Sequence, residues 1–408
     1  MTERLYYEDA YLTEFDATVT DCCETDGRWV IRLDRSAFYP TSGGQPYDTG
    51  TLSRLSAPSG VSALSGATVL DVYVGEDHDV YHVIDAPLEA GERVRGKIDW
   101  PRRFDHMQQH AGDHMIASAL WRLLGGVTIG LHISHDVSTI DVAMPEGVTR
   151  ISPEDIRRVE ADVNERIQKD VPVRCWFPEA EELKALPLRK PPTVAEHVRI
   201  VAIGEDEMVA CGGTHPSTAG QLGLVKIVGV APARGKMRVS FLAGQRALAD
   251  YQSVYDIAHA TAAQLSTSVE NLPDHVAAMQ EALKRAEFEL NRLRRDSAVS
   301  EIQNGELPVL ENGAKLAVRM LNGDANLIRD VASQLIKQES MVVLLGAEAE
   351  PGQAVFVFAR SRNVDVHMGQ LLSRAAKPLG GKGGGRPDFA QGGGDPAILE
   401  AAKALLVG

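Results

Sequence analysis

His110-Ala-Gly-Asp-His114 and Cys211-Gly-Gly-Thr-His215 each set two metal-ligating side chains four residues apart, and the two strings stand about a hundred residues from one another. Three imidazoles and one thiolate form a borderline-to-soft donor set that suits Zn²⁺ in tetrahedral geometry. His110 and His114 lie in a stretch rich in Met, Ala and Leu that reads as helix, so their spacing points both rings off one face. Cys211 and His215 flank two glycines and a threonine, and glycine lets such a loop fold tightly. Either string alone is matched by an ordinary helix face or by a pair of core histidines. The combination predicts one Zn²⁺ per chain, held by His110, His114, Cys211 and His215.

The elements that must position these donors can be read coarsely. Residues 10–98 alternate in short β runs with a Thr25-Asp26-Gly27 turn, which suggests a small barrel. Phe104–Leu124 reads as a helix stopped by Gly125-Gly126, and Pro153–Lys169 as an amphipathic helix with acidic residues at its start. Val198–Ile203 and Leu224–Val230 read as strands flanking the Cys211 loop. Val276, Met279, Leu283, Ala286, Leu290 and Leu293 form an a/d seam of about two and a half heptads, either a short coiled coil or a helical hairpin packed on itself. Asn271 and Pro273 mark the turn before it. Strands at Lys315–Met320, Met341–Leu345 and Ala354–Ala359 alternate with helices near 325–338 and 366–376. The expected class is α+β: a small N-terminal β-barrel (1–98), an α+β zinc-containing core (99–249), a helical arm or hairpin (250–300) and a C-terminal α/β domain (301–408).

Between the last two helices, Gly380 to Gly394 holds eight glycines in fifteen residues, together with Lys382, Arg386, Asp388 and Phe389. A flexible linker is the usual meaning of such a run. Basic and aromatic residues at fixed places favour a loop whose bare amides and cations meet phosphate. Lys377, Lys382, Gly383, Gly384, Gly385 and Arg386 are the candidate nucleic-acid contacts.

Composition narrows the partners. The 408 residues carry a formal charge of −14, which disfavours broad phosphate contact. Residues 360–408 reverse the sign, with seven basic residues against four acidic ones, so nucleic-acid contact is expected to concentrate there. No apolar run reaches membrane-spanning length, and Met1–Glu8 lacks the apolar core of a signal peptide. Four cysteines make no disulfide framework. A reduced cytoplasm is the expected compartment, with no membrane partner.

Asp99-Trp100-Pro101-Arg102-Arg103 leading through Met107-Gln108-Gln109 to His110 and His114, together with Cys211-Gly-Gly-Thr-His215, resembles the editing domain of alanyl-tRNA synthetase. The stretch Phe38-Tyr-Pro-Thr-Ser-Gly-Gly-Gln-Pro-Tyr-Asp-Thr-Gly50 resembles the glycine-rich motif that precedes that domain. The 380–394 run resembles the signature of the C-terminal domain shared with DHH-type phosphoesterases. No Asp-His-His motif occurs, so the phosphoesterase catalytic half is missing, and no part is left over for an aminoacylation domain. The resemblance spans nearly the whole chain and is similar to the long form of the free-standing AlaX proteins. It implies a hydrolase acting in trans on mischarged tRNA(Ala), which removes serine, and glycine as well, and spares alanine. Two departures stand beside the ligands: Ala111 where the family commonly has Thr, and Asp113 next to the second histidine. They bear on tuning around the metal and leave the ligand positions intact.

The chemistry implied is hydrolysis of an activated ester without a covalent nucleophile. Zinc could polarise a carbonyl, bind substrate or activate water. Four protein ligands make a closed set, so either one yields to substrate, with His215 the candidate, or the metal orients substrate only. Serine exceeds alanine by one hydroxyl, and a site that hydrogen-bonds it rejects alanine. Thr41 and Gln45 are candidates to read that hydroxyl, with Gly43 and Gly44 allowing close backbone approach. His132 matches a position the family often fills with histidine. Two other readings remain open: a zinc-dependent phosphate-ester or nucleotide hydrolase, and a non-catalytic RNA-binding protein with a structural zinc. The arm or the C-terminal domain offers a route to a homodimer.

Overall fold

Alternating apolar and polar residues over 14–98 build a closed six-stranded barrel. Its strands are Glu14–Thr25 (β1), Arg28–Leu33 (β2), Gly50–Arg54 (β3), Gly66–Val74 (β4), Val80–Ile84 (β5) and Arg93–Ile98 (β6), closing in the order β1-β2-β5-β4-β3-β6. Phe15, Val19, Ile31, Leu52, Val69 and Val94 fill the interior. Register shifts at Val19/Asp21 and Val69/Asp71 bend the long strands enough to close the circle. The computed structural model describes residues 1–25, 27–55, 66–194 and 196–407. They divide into two compact units, Met1–Ala258 and His259–Gly408. The barrel therefore shares a unit with the segment that follows it, and the expected boundary at 98/99 falls inside that unit.

The helix carrying the two histidines runs from Trp100 to Leu124 (α1), four residues longer at its start than the sequence suggests. The Asp99 carboxylate caps it by accepting from the Arg102 amide, and Pro101 sits in the first turn where no donor is needed. Gly125, at φ 68°, ends it in the left-handed conformation that glycine adopts without strain. Met107, Ala111, Met115, Ile116 and Ala119 are all fully buried, so α1 is a central helix.

Around α1 lie a four-stranded and a three-stranded sheet. The first comprises Val127–Ile133 (β7), Ser138–Ala143 (β8), Val225–Ala233 (β12) and Lys236–Ala243 (β13), in the order β12-β13-β8-β7. The second comprises Val173–Trp176 (β9), Ile200–Ile203 (β10) and Glu207–Ala210 (β11). Pro153–Gln168 (α2), capped by Ser152, packs Val159, Val163 and Ile167 into the same core. A short helix, Ala180–Ala185 (α3), follows β9.

Gln245–Gln264 (α4) crosses the division between the units, and Leu272–Asn304 (α5) opens the second, with Asn271 at its N-cap position and Pro273 in its first turn. The a/d seam lies on α5, but it is exposed: Met279 is 49% and Leu283 61% accessible. The second unit is a five-stranded sheet of Lys315–Leu321 (β14), Met341–Glu350 (β15), Gln353–Arg360 (β16), Lys382–Gly385 (β17) and Phe389–Gly394 (β18), ordered β14-β15-β16-β18-β17. Ala325–Leu335 (α6) and the end of α5 cover one face of the sheet. Met368–Ala376 (α7) and Ile398–Val407 (α8) cover the other.

The glycine-rich run is thus a β-hairpin and not a loop. Its glycines serve close packing. A Cβ on Gly369 of α7 would lie 2.3 Å from the Gly385 carbonyl oxygen, and one on Gly383 would lie 2.7 Å from Leu372 Cγ. The α+β class and the N-terminal barrel are as the sequence suggests.

Candidate metal centre

Four donors from two elements meet inside the first unit. The ligand atoms of His110, His114, Cys211 and His215 all lie within 4.8 Å of one another. Cys211 Sγ is 3.4 Å from His110 Nε2 and 3.5 Å from His215 Nε2. A tetrahedral Zn²⁺ with bonds of about 2.0 Å to nitrogen and 2.3 Å to sulfur would set such pairs about 3.5 Å apart. The three rings are 2–4% exposed, and Cys211 is half-buried.

The outer nitrogens show how the rings are aimed. Gln45 Oε1 lies 2.7 Å from His110 Nδ1 and accepts a hydrogen bond from it, so Nε2 is the nitrogen that faces Cys211 Sγ. His114 Nδ1 lies 3.4 Å from Glu207 Oε1. Glu207, itself buried, is held by two 2.8 Å bonds from Arg189, whose Nη1 also donates to Thr128 Oγ1. His215 Nδ1 is buried with no hydrogen-bond partner among the described residues.

Burial pushes the Cys211 thiol up, yet His110 and His114 beside it pull it well below its usual value. Burial opposes charge on His114, but Cys211 and Glu207 raise it. Burial and the neighbouring His110 push His215 down. A thiolate at Cys211 is the form in which that residue binds a metal. The donors, spacing and burial match a zinc site, with an outer partner in place on His110.

The loop from Cys211 to His215 is held from three sides. Arg199 Nη1 donates to the carbonyls of Cys211 and Gly213, and Gly213 N–H points at Cys211 Sγ at 3.4 Å. A side chain at Gly213 would strike His110 Cε1 at 2.1 Å. Gln45 Nε2 donates to Thr214 Oγ1 at 2.8 Å, and Gln45 Oε1 also accepts from the Thr214 amide at 3.1 Å.

Gln45 is expected from the sequence to contact substrate. Its amide instead makes three bonds to protein and braces both ligand strings. Ser42 and Gln45 exchange both backbone bonds across Gly43 and Gly44, at φ 59° and 85°, a tight turn that glycine enters readily. Gly44 O accepts from Ile133 N, and a Cβ on Gly44 would lie 2.4 Å from Leu131 O. The turn is thereby docked on β7, which carries His132. Thr41 and His132 are both exposed.

At the rear, Asp48 and Arg103 form a fully buried pair, with Arg103 Nε 2.9 Å from Asp48 Oδ2 and Nη1 donating to Ala10 O. The pair ties the glycine motif to α1 two turns before His110. Sequence reasoning missed the roles of Asp48, Arg103, Arg189, Arg199 and Glu207, because each works through a partner distant in the chain. Lys377, Lys382, Gly383, Gly384, Gly385 and Arg386 belong to the second unit, where Lys382 and Arg386 are exposed. Among the described residues no helix is long and apolar enough to cross a membrane.

Comparison with known proteins agrees with both units. Residues 198–240 match the family profile described as the threonyl and alanyl tRNA synthetase second additional domain, and residues 313–407 match the DHHA1 domain. Alanine–tRNA ligase of Halorubrum lacusprofundi is 33% identical over 423 residues, covering 99% of this chain and 44% of that protein. The Methanoregula boonei ligase is 32% identical, covering 100% of this chain and 43% of its own length. The C-Ala domain from Aquifex aeolicus alanyl-tRNA synthetase is 26% identical over 26% of this chain and all of that domain, at a TM-score of 0.23. The chain spans less than half the length of these ligases.

Proposed function

We propose that this alanyl-tRNA-synthetase-related chain is an aminoacyl-tRNA deacylase that clears mischarged tRNA(Ala), hydrolysing the serine ester, and the glycine ester too, while sparing alanine. One observation carries the reading: a buried His110, His114, Cys211 and His215 cluster, braced by Gln45 of the glycine motif, in a chain whose relatives are alanine–tRNA ligases. Zn²⁺, when bound by these four residues, supplies Lewis acidity toward an ester carbonyl. The protein's own part is orientation. Gln45 orients the His110 ring, Glu207 sets a carboxylate beside His114 Nδ1, Arg199 and Gln45 hold the loop, and the Arg103–Asp48 pair fixes the motif against α1.

Discrimination falls to groups left open at the surface of this arrangement. Thr41 and His132 are the side chains, and Gly43 and Gly44 the bare backbone, suited to meet the aminoacyl group. An unmet hydroxyl partner would reject alanine. The exposed Lys382 and Arg386, with Lys377 and the neighbouring Gly383, Gly384 and Gly385, supply phosphate contacts that the acidic body lacks.

The test is release of amino acid from Ser-, Gly- and Ala-tRNA(Ala) by the zinc-loaded protein. Rapid loss of serine with alanine retained is expected. Equal rates for serine and alanine, or no hydrolysis of any ester, would overturn the reading. Lys382→Ala with Arg386→Ala should raise KM for tRNA and flatten its salt dependence by about one unit of log–log slope per lost phosphate contact.

A further inference from the structure

A cavity of about 460 Å³ opens in the first unit, lined among others by Pro46, Arg102, Asp105, His106, Ser134 and Arg246. Pro46 directly follows Gln45, and His106 stands about one helical turn, a rise of about 6 Å, before His110 on α1. Two of its lining residues thus stand next in sequence to Gln45 and one turn from His110, on the side of the helix start.

Its two arginines are not equivalent. Arg246 is fully engaged: Nε and Nη2 meet Asp105 at 2.8 and 2.7 Å, and Nη1 donates to Ser134 O at 2.7 Å. Arg246 and Asp105 thus cancel. Arg102 is held only at its base. Its Nε donates to Tyr47 O at 3.0 Å, and its guanidinium carbon lies 5.1 Å from the Tyr47 ring centroid. Neither of its terminal nitrogens has a hydrogen bond among the described residues. His106 is only 4% exposed, and no hydrogen bond engages its imidazole among those residues. A buried polar ring without a partner is costly and calls for one.

The cavity thus holds one uncompensated guanidinium fork and one unpartnered imidazole, in a chain of net charge −14. A guanidinium fork fits the paired oxygens of a phosphate. Resting on the deacylase reading, the ligand class follows from substrate chemistry. In a serine or glycine ester the carboxyl group is consumed, so the anions offered beside the acylated 3′ end are backbone phosphates. We infer that Arg102 and His106 form a binding site for a single backbone phosphodiester close to the acylated 3′ end, which sets the register of the ester against the metal cluster.

The test is a thermodynamic cycle on the full-length, zinc-loaded chain. The probe is an RNA minihelix whose 3′ terminus carries serine through a non-hydrolysable amide, with each of the last three internucleotide phosphates replaced in turn by an uncharged methylphosphonate. Loss of one charge-assisted contact should weaken wild-type binding about tenfold at one of the three positions. Arg102→Gln should weaken the unmodified probe by a similar factor and show no further loss at that position. Arg102→Lys should recover part of the affinity, and His106→Gln should couple to the same linkage. Melting temperature and zinc content of each variant separate a lost contact from a lost fold.

Insensitivity of wild type to all three replacements, multiplying losses of about a hundredfold, or no binding of the probe would overturn the inference. Competition by free inorganic phosphate at the concentration that displaces the probe would assign the pocket to a free anion instead and also overturn it. A protein that binds the probe with the expected coupling yet hydrolyses no ester would refute the deacylase reading alone.

Discussion

The four-donor cluster of the first unit and the glycine hairpin of the second stand out equally in the sequence, and they carry their information differently. In the cluster, side-chain type and spacing state the geometry: two histidines four apart on a helix face one way, and a cysteine and histidine across two glycines can close on them. In the hairpin most strand residues are glycine, so little reports on direction. Glycine runs of this kind suit a flexible linker, a phosphate loop or a tightly packed strand pair alike. The structure shows a packed strand pair, with α7 too close to β17 to admit a β-carbon at Gly369 or Gly383. Donor patterns can be read without a fold, whereas glycine patterns need one.

That contrast can be broken at several strengths. The largest effect is expected at the donors. Cys211→Ala should lose the single equivalent of zinc by elemental analysis and cut deacylation by more than about a hundredfold, beyond what an outer partner contributes. Full metal retention would remove Cys211 from the site. Next comes the hairpin, where neighbouring glycines should part company. Gly383→Val overpacks against Leu372 and should cost about 2–3 kcal/mol in urea unfolding. At Gly384 an added Cβ would meet nothing within 4 Å, so Gly384→Val should stay within about 0.5 kcal/mol. Equal costs at the two positions would mean that backbone freedom, and not close approach, decides the glycines. The smallest effect is expected at Gln45→Met, which keeps the volume and removes the brace. Zinc affinity should fall about 10–100-fold while the four ligands remain. Unchanged affinity in a competition titration would show that the turn holds His110 without its side chain.

Much of the fold is legible in the sequence for plain reasons. The barrel strands alternate, α2 shows its cap and apolar stripe, and strands β14 to β16 are strongly apolar. The start of α1 is harder to place, because Asp99 and Pro101 signal a helix start only when taken together. Strand β11 is four residues long and gains its place by pairing with β10. The outer partners of the site are illegible for a related reason. Gln45 reaches His110 across 65 positions and Arg103 reaches Asp48 across 55, distances at which no local periodicity connects a residue to its role. Gln45 stands out through its motif, but its amide faces the protein.

The Gln45 brace has a consequence for how this chain can be cut and recombined. A single amide belonging to the barrel segment touches both a helix donor and the donor loop of the core. A fragment beginning at residue 99 would carry all four ligands and still lack the group that fixes one of them. With the proposed metal bound, occupancy of the cluster would be coupled through Gln45 to the folding of residues that contribute no ligand, and saturating zinc should protect strands β1 to β6 from proteolysis along with the core.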